Sequence, residues 1–292
     1  MELFGKNISI RSRGCLLMDN LYEPMTANVN LFVKVTNGCN ARCAFCSNGK
    51  NRACCHSFDH SKLNSIIQEI RDKGIKIKSL NITGGEPSLV PGTVLRILDD
   101  CSEGKASYIP VHLNTNGLSH EARKLMVHPR LSSVSLSLHH YDRVKLEEIY
   151  GCEIREDFFD FSDIDIERTT FSCNLIKGYI NNPTEARKMM DFAIDKGFRE
   201  MGFVALMNVN RYCTDKYVPL GDLKLQSISG VNRSKWRSNG DFCRCENFIY
   251  EKEGHLLSIY MRHIQDPTYC ESSLLFDGQY LRQGFDNDNI II

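Results

Sequence analysis

Six strand-like segments alternate with helix-like ones over about residues 30–207, and no other feature of the 292-residue chain limits its fold so tightly. The strand-like segments are LFVKV (31–35), IKIKSLNI (75–82), VHLNTNG (111–117), SSVSLSL (132–138), TTFSCNLI (169–176) and MGFVALM (201–207). Between them the apolar period changes from two to 3.6. Leu63, Ile66, Ile67 and Ile70 stand at i, i+3, i+4 and i+7 with Gly74 as a stop. Ala186, Met189, Met190 and Ala193 form a second stripe after Asn182 and Pro183, which suit an N-cap and a first helical position. Asp142 suits the N-cap of a shorter helix. A strand that must return through a helix pairs parallel with its predecessor, so the alternation predicts a mainly parallel sheet with helices outside it.

The flanks differ. Residues 1–29 read as an N-terminal extension. Residues 208–292 hold clustered cysteines and two hairpin-like pairs, FIYEKEGHLLSIY and LLFDGQYLRQGF, the second with Asp277-Gly278 at its turn; they read as a small appended domain. The chain is 42% hydrophobic and 25% charged, enough for a sizeable core. Its 36 basic and 36 acidic side chains cancel, which gives no electrostatic case for nucleic acid or an anionic membrane. MELFGKNISIRSRG lacks the apolar core of a signal peptide, and no apolar run approaches the ~18 residues of a span, so the expected location is the cytoplasm. In such a compartment thirteen cysteines point to metal or redox work rather than to disulfides.

Cys39, Cys43 and Cys46, in "NGCNARCAFCSN", carry that work most plainly. One tight loop with C-x3-C-x2-C spacing can hold three irons of a cubane and leave the fourth open. A zinc knuckle is the other solution, with Cys54, Cys55 or His56 as the fourth ligand. The end of the next strand-like segment reads "NITGGEPSL", where Gly84 and Gly85 let the backbone approach a ligand and Glu86 adds a carboxylate.

Together, on successive strands, these two motifs resemble the radical S-adenosylmethionine (SAM) superfamily. The resemblance spans about residues 30–207 and implies a partial (β/α)6 barrel of the radical SAM type. It further implies a [4Fe–4S] cluster on Cys39, Cys43 and Cys46, whose open iron takes SAM and releases a 5′-deoxyadenosyl radical. Residue by residue, it assigns Gly84, Gly85 and Glu86 to the methionine amino group and Phe45 to the adenine. Thr115, in "NTNG", faces the barrel; Ser137, in "SLSLHHYD", meets the ribose; Asn174, in "CNLIKG", is a polar barrel contact; and Met207 meets the adenine.

Within the superfamily the chain is most similar to the branch of the molybdenum-cofactor GTP cyclase and the SPASM/Twitch enzymes. That implies a small C-terminal, Twitch-like domain with a second [4Fe–4S] cluster on Cys213, Cys243, Cys245 and Cys270. Asn81 and Ser172 stand where the cyclase has basic residues for triphosphate, so GTP cyclisation is disfavoured. The expected activity is hydrogen-atom abstraction from a peptide or small natural product, leading to dehydrogenation, crosslinking or epimerisation. A flavodoxin- or ferredoxin-type protein would donate the electron. Cys173 is a candidate hydrogen-atom donor and His139 a candidate acid/base. The rival is a non-catalytic iron–sulfur or zinc-binding protein, which explains the cysteines but not the glycine motif.

Overall fold

A computed structural model describes residues 2–8, 28–48, 57–101, 109–234, 246–262, 273–284 and 289–292. Cys243, Cys245 and Cys270 lie outside the described residues, as do Cys15, Cys54, Cys55 and His56. A two-stranded ribbon, β1 (Glu2–Leu3) and β2 (Lys6–Asn7), precedes the main body.

Six β/α units follow in chain order: β3 (Asn28–Lys34), α1 (His60–Asp72), β4 (Lys76–Thr83), α2 (Pro91–Asp100), β5 (Val111–Thr115), α3 (His120–Met126), β6 (Ser133–Ser137), α4 (Arg143–Tyr150), β7 (Thr169–Asn174), α5 (Pro183–Asp195), β8 (Glu200–Val204) and α6 (Arg211–Asp215). Strands β3 to β8 pair parallel in sequence order, the open curve of a partial barrel.

The local signals act as their chemistry predicts. Asp142 and Asn182 cap α4 and α5 by accepting from the Lys145 and Glu185 amides. Both apolar stripes are buried, and Gly74 takes φ +70° just beyond α1.

Strands β6 and β7 show how the two faces divide. Val134, Leu136, Phe171 and Cys173 are buried, whereas Ser133, Ser135, Ser137, Thr170, Ser172 and Asn174 are half-buried on the concave inner face.

Both tail hairpins form, but they do not make a sheet of their own. β9 (Val231–Arg233), β10 (Glu246–Lys252) and β11 (His255–Arg262) form one antiparallel group, and β12 (Ser273–Phe276) and β13 (Leu281–Gln283) the other. β11 then lies parallel to β8, and β12 parallel to β3, which yields one sheet in the order β13-β12-β3-β4-β5-β6-β7-β8-β11-β10-β9. The reason is physical: an open barrel leaves two edges of unpaired backbone groups, and a hairpin docked on each satisfies them. Strands from before and after position 207 therefore share one hydrogen-bonded sheet. No described helix is long and apolar enough to cross a membrane.

Candidate active site

The cysteine loop begins where β3 ends and is fastened from two sides. On one side, Thr36 Oγ1 accepts from the Gly38 amide at 3.0 Å, and the Arg42 amide donates to the Tyr150 carbonyl at the end of α4 at 2.6 Å. On the other side stands the glycine motif. Gly85 N–H donates to Thr36 O and Glu86 N–H to Gly38 O, each at 2.7 Å, and Asn48 Nδ2 donates back to Gly84 O. A Cβ on Gly85 would lie 1.8 Å from Gly38 O, and one on Gly84, at φ +150°, would lie 2.5 Å from Thr36 O. Only glycine lets these two backbones approach so closely.

Within the loop the Cys46 amide donates to Cys43 O at 3.2 Å, and Cys39 Sγ accepts from the Ala41 amide at 3.4 Å. All three thiols are partly exposed. Burial, reinforced by the neighbouring Cys46 and Cys39, pushes the Cys43 thiol up to about 12. Three thiols gathered in one loop suit a cation-rich group that binds them together as thiolates. Among the described residues, no three His, Cys, Asp or Glu side chains converge as ligands of a single ion would.

Glu86 turns inward. Its carboxylate, 1% exposed, accepts from Thr115 Oγ1 at 2.7 Å, the Asn116 amide at 2.8 Å and the Ser88 amide at 3.0 Å. Burial raises its pKa, and those three donors oppose the rise. Thr115, 3% exposed, spends its hydroxyl on Glu86 and on the Gly117 amide. Sequence reasoning missed Asn116. Its Nδ2 reaches Asn40 Oδ1 at 2.7 Å and lies 3.8 Å from Cys39 Sγ, so it links the third strand to the first cysteine. Its place in "NTNG" was the available signal.

Ser137 ends β6 in register with Ser172, and its carbonyl accepts from the Tyr150 hydroxyl. Asn174 ends β7, and its amide donates to His139 Nδ1 at 3.2 Å. Phe45 stands edge-on to the His139 ring, centroids 5.1 Å apart. Met207 is exposed at 37%, two residues before the Val209 amide that its carbonyl accepts. Cys213 is buried, with its thiol 3.7 Å from Phe45 O, so it packs behind the cysteine loop.

Two suggested catalytic side chains are not placed for chemistry. Cys173 has the opposite strand parity to Asn174, is 0% exposed, and donates to His139 O at 3.5 Å; a hydrogen-atom donor must face the substrate. His139 is 4% exposed, burial lowers its pKa to about 4, and its Nδ1 is taken by the Asn174 amide. It is a neutral wedge behind Phe45 rather than an acid/base in contact with solvent.

The radical SAM superfamily matches residues 33–199, more than half of the chain. No curated protein matches it. Among solved structures, SuiB of Streptococcus suis bound to S-adenosylmethionine superposes with a TM-score of 0.50 at 18% identity, over 64% of this chain and 42% of SuiB. SuiB bound to its precursor peptide SuiA gives 0.49 at 18% identity, over 64% and 41%. A radical SAM methyltransferase from Sphaerobacter thermophilus gives 0.52 at 15% identity, over 70% and 62%. The chain spans less than two thirds of the length of each. A cysteine loop stitched to a glycine motif across two parallel strands, in a barrel of this topology and with that match, places the chain in the radical SAM superfamily.

Proposed function

We propose that the chain binds SAM at a [4Fe–4S] cluster on Cys39, Cys43 and Cys46 and removes a hydrogen atom from a peptide or small natural product on the concave face of the sheet. The donor set fits: three thiols share one loop, and the glycine cradle beside them leaves no room for a Cβ. When bound, the cluster and SAM together supply a 5′-deoxyadenosyl radical by one-electron cleavage of the sulfonium.

The protein's own part is binding, orientation and exclusion of water. The glycine backbone seats the methionine end, while Glu86 holds that backbone in place through Thr115, Asn116 and Ser88. Phe45, steadied by His139, offers an aromatic edge to the adenine; Ser137, Asn174 and Met207 complete the SAM contacts. Asn30, Ser79, Asn81, Asn114, Ser135 and Ser172 give the inner face neutral hydrogen-bonding groups, which suit the amides and hydroxyls of a peptide. Dehydrogenation or crosslinking is favoured over epimerisation, because Cys173 faces away from that surface.

The observation that carries this reading is the double backbone stitch from Gly85 and Glu86 to Thr36 and Gly38, which fixes the glycine motif against the cysteine loop. A second cluster on Cys213, Cys243, Cys245 and Cys270, a flavodoxin- or ferredoxin-type electron donor and a cytoplasmic, reducing location belong to the same proposal. After anaerobic reconstitution, reductant and SAM should yield 5′-deoxyadenosine, and changing Cys39, Cys43 and Cys46 to Ala should abolish it. Iron should fall from about eight to about four per chain in that triple variant if both clusters assemble. A chain that carries iron yet leaves SAM intact is a carrier and defeats the reading.

A further inference from the structure

The two tail strands β10 and β11 bring to the inner face a group of side chains that the SAM site does not use. Tyr260 pairs with Gly202 of β8, and its ring covers that glycine so closely that a Cβ there would sit 1.8 Å from it. Its hydroxyl reaches Ser135 and Thr170 on β6 and β7, so the ring floors the concave face. The Arg262 guanidinium lies 4.8 Å over that ring, exposed, and no carboxylate among the described residues pairs with it. A cation steadied by a ring keeps its hydrogen-bonding fork free.

Asn247 stands directly opposite Tyr260 in the antiparallel pair and therefore shares its face. The alternate residue Tyr250 confirms the assignment, since it turns the other way and donates to Asp191 of α5 at 2.7 Å. Asn247 is 3% exposed, yet among the described residues neither its Nδ2 nor its Oδ1 has a hydrogen-bond partner. Such a group is destabilising unless a ligand completes it.

We propose that Arg262 and Asn247, over the Tyr260 floor, recognise a substrate carboxylate next to an amide, the chemistry of an acidic residue or of a peptide C-terminus. This rests on the radical SAM reading above and names the part of the substrate that the barrel reads. Arg262 forks onto the carboxylate, and Asn247 both donates to and accepts from the adjacent amide. His112, across the face, is kept neutral by its burial and by the Arg262 charge, so it does not compete as a second cation. Asn174, Val204 and Arg262 are register neighbours on β7, β8 and β11. Two strand spacings put the anchor roughly 10 Å from the SAM contact Asn174, the reach of about three extended residues. The modified residue should thus lie within about three positions of the anchored carboxylate.

The test uses calorimetric titration of the reconstituted enzyme with four compounds: N-acetylglutamate N-methylamide, its glutamine counterpart, N-acetylglycylglycine and the C-terminal amide of the last. The carboxylates should bind at least about tenfold more tightly than their neutral partners. A preference for the glutamate compound assigns a side chain, and one for the glycylglycine a chain end. Arg262→Gln should erase the preference, Arg262→Lys should keep part of it, and Asn247→Leu should weaken both carboxylates about threefold or more. Melting temperatures establish that the variants are folded; if Arg262→Gln is not, the loss of the fork in Arg262→Lys carries the comparison. The proposal fails if no carboxylate compound binds the wild type, or if the preference survives Arg262→Gln. Formation of 5′-deoxyadenosine by the wild type without any of these compounds tests the radical SAM reading separately.

Discussion

Gly85 shows how little room the cysteine loop leaves. The contact that a Cβ would make is with the Gly38 carbonyl, which is backbone and already accepts from the Glu86 amide. Gly85→Ala must therefore push the two loops apart. It should cost at least ~1–3 kcal/mol in denaturant unfolding and lower the iron retained after reconstitution. Glu86 makes a complementary case. Its three donors leave a glutamine at that site with an NH2 facing an N–H or O–H, so Glu86→Gln should destabilise the fold by about 1–3 kcal/mol. If it weakens SAM binding without destabilising the fold, the carboxylate contacts SAM directly and its inward hydrogen bonds are secondary. At this scale the sequence is only half informative. It names Glu86, Cys173 and His139 but not the direction in which each side chain points, because direction depends on which strand face is covered.

At the scale of elements, α3 is tied to the β6–β7 crossover chiefly through Arg123. Arg123 is 2% exposed, donates to Phe158 O at 2.6 Å, reaches Asp163 at 3.2 Å, and lies between the Phe158 and Phe161 rings at 5.3 and 5.0 Å. Its Nε also holds Gly117 O, in the turn after Thr115. Arg123→Met keeps much of the volume but strands those carbonyls. The 155–166 segment should then be cut faster by limited protease, with a stability loss of about 3 kcal/mol. Unchanged cleavage would mean that the apolar contacts alone hold the crossover. The helices and their caps were legible because periodicity and capping are local chemistry: the Asp142 and Asn182 caps and the Ile66–Ile70 stripe stand where the spacing puts them. The partners of the tail hairpins were not legible. Asp277-Gly278 encodes a turn, but which edge the hairpin then joins is a non-local matter.

At the scale of the whole molecule, three histidines among the described residues carry a large acid liability. His139, His112 and His140 each fall from an ordinary 6.5 to about 4, in every case mainly through burial, with Arg262 adding to it for His112 and Lys145 for His140. A folded pKa below the unfolded one means that the unfolded chain binds more protons in between. Stability is therefore full above pH 6.5 and is lost as the pH falls through 6.5 towards 4. For the fully buried His139 the loss reaches about 3 kcal/mol at most. Unfolding free energies measured from pH 7 to 4 should fall steeply, and His139→Gln should flatten the curve; an unchanged slope would place the proton uptake elsewhere.

By itself the sequence determined the β/α alternation, the spacing of Cys39, Cys43 and Cys46, and the glycines that must follow one strand later, since each depends on neighbours within a few residues. Tertiary structure alone decided that Asn116 meets the first cysteine, that Cys173 turns outward, and that Asn247 and Arg262 arrive on the inner face from beyond position 245. Those placements come from strands paired across long loops, where register and sheet edge, rather than local propensity, select the partner.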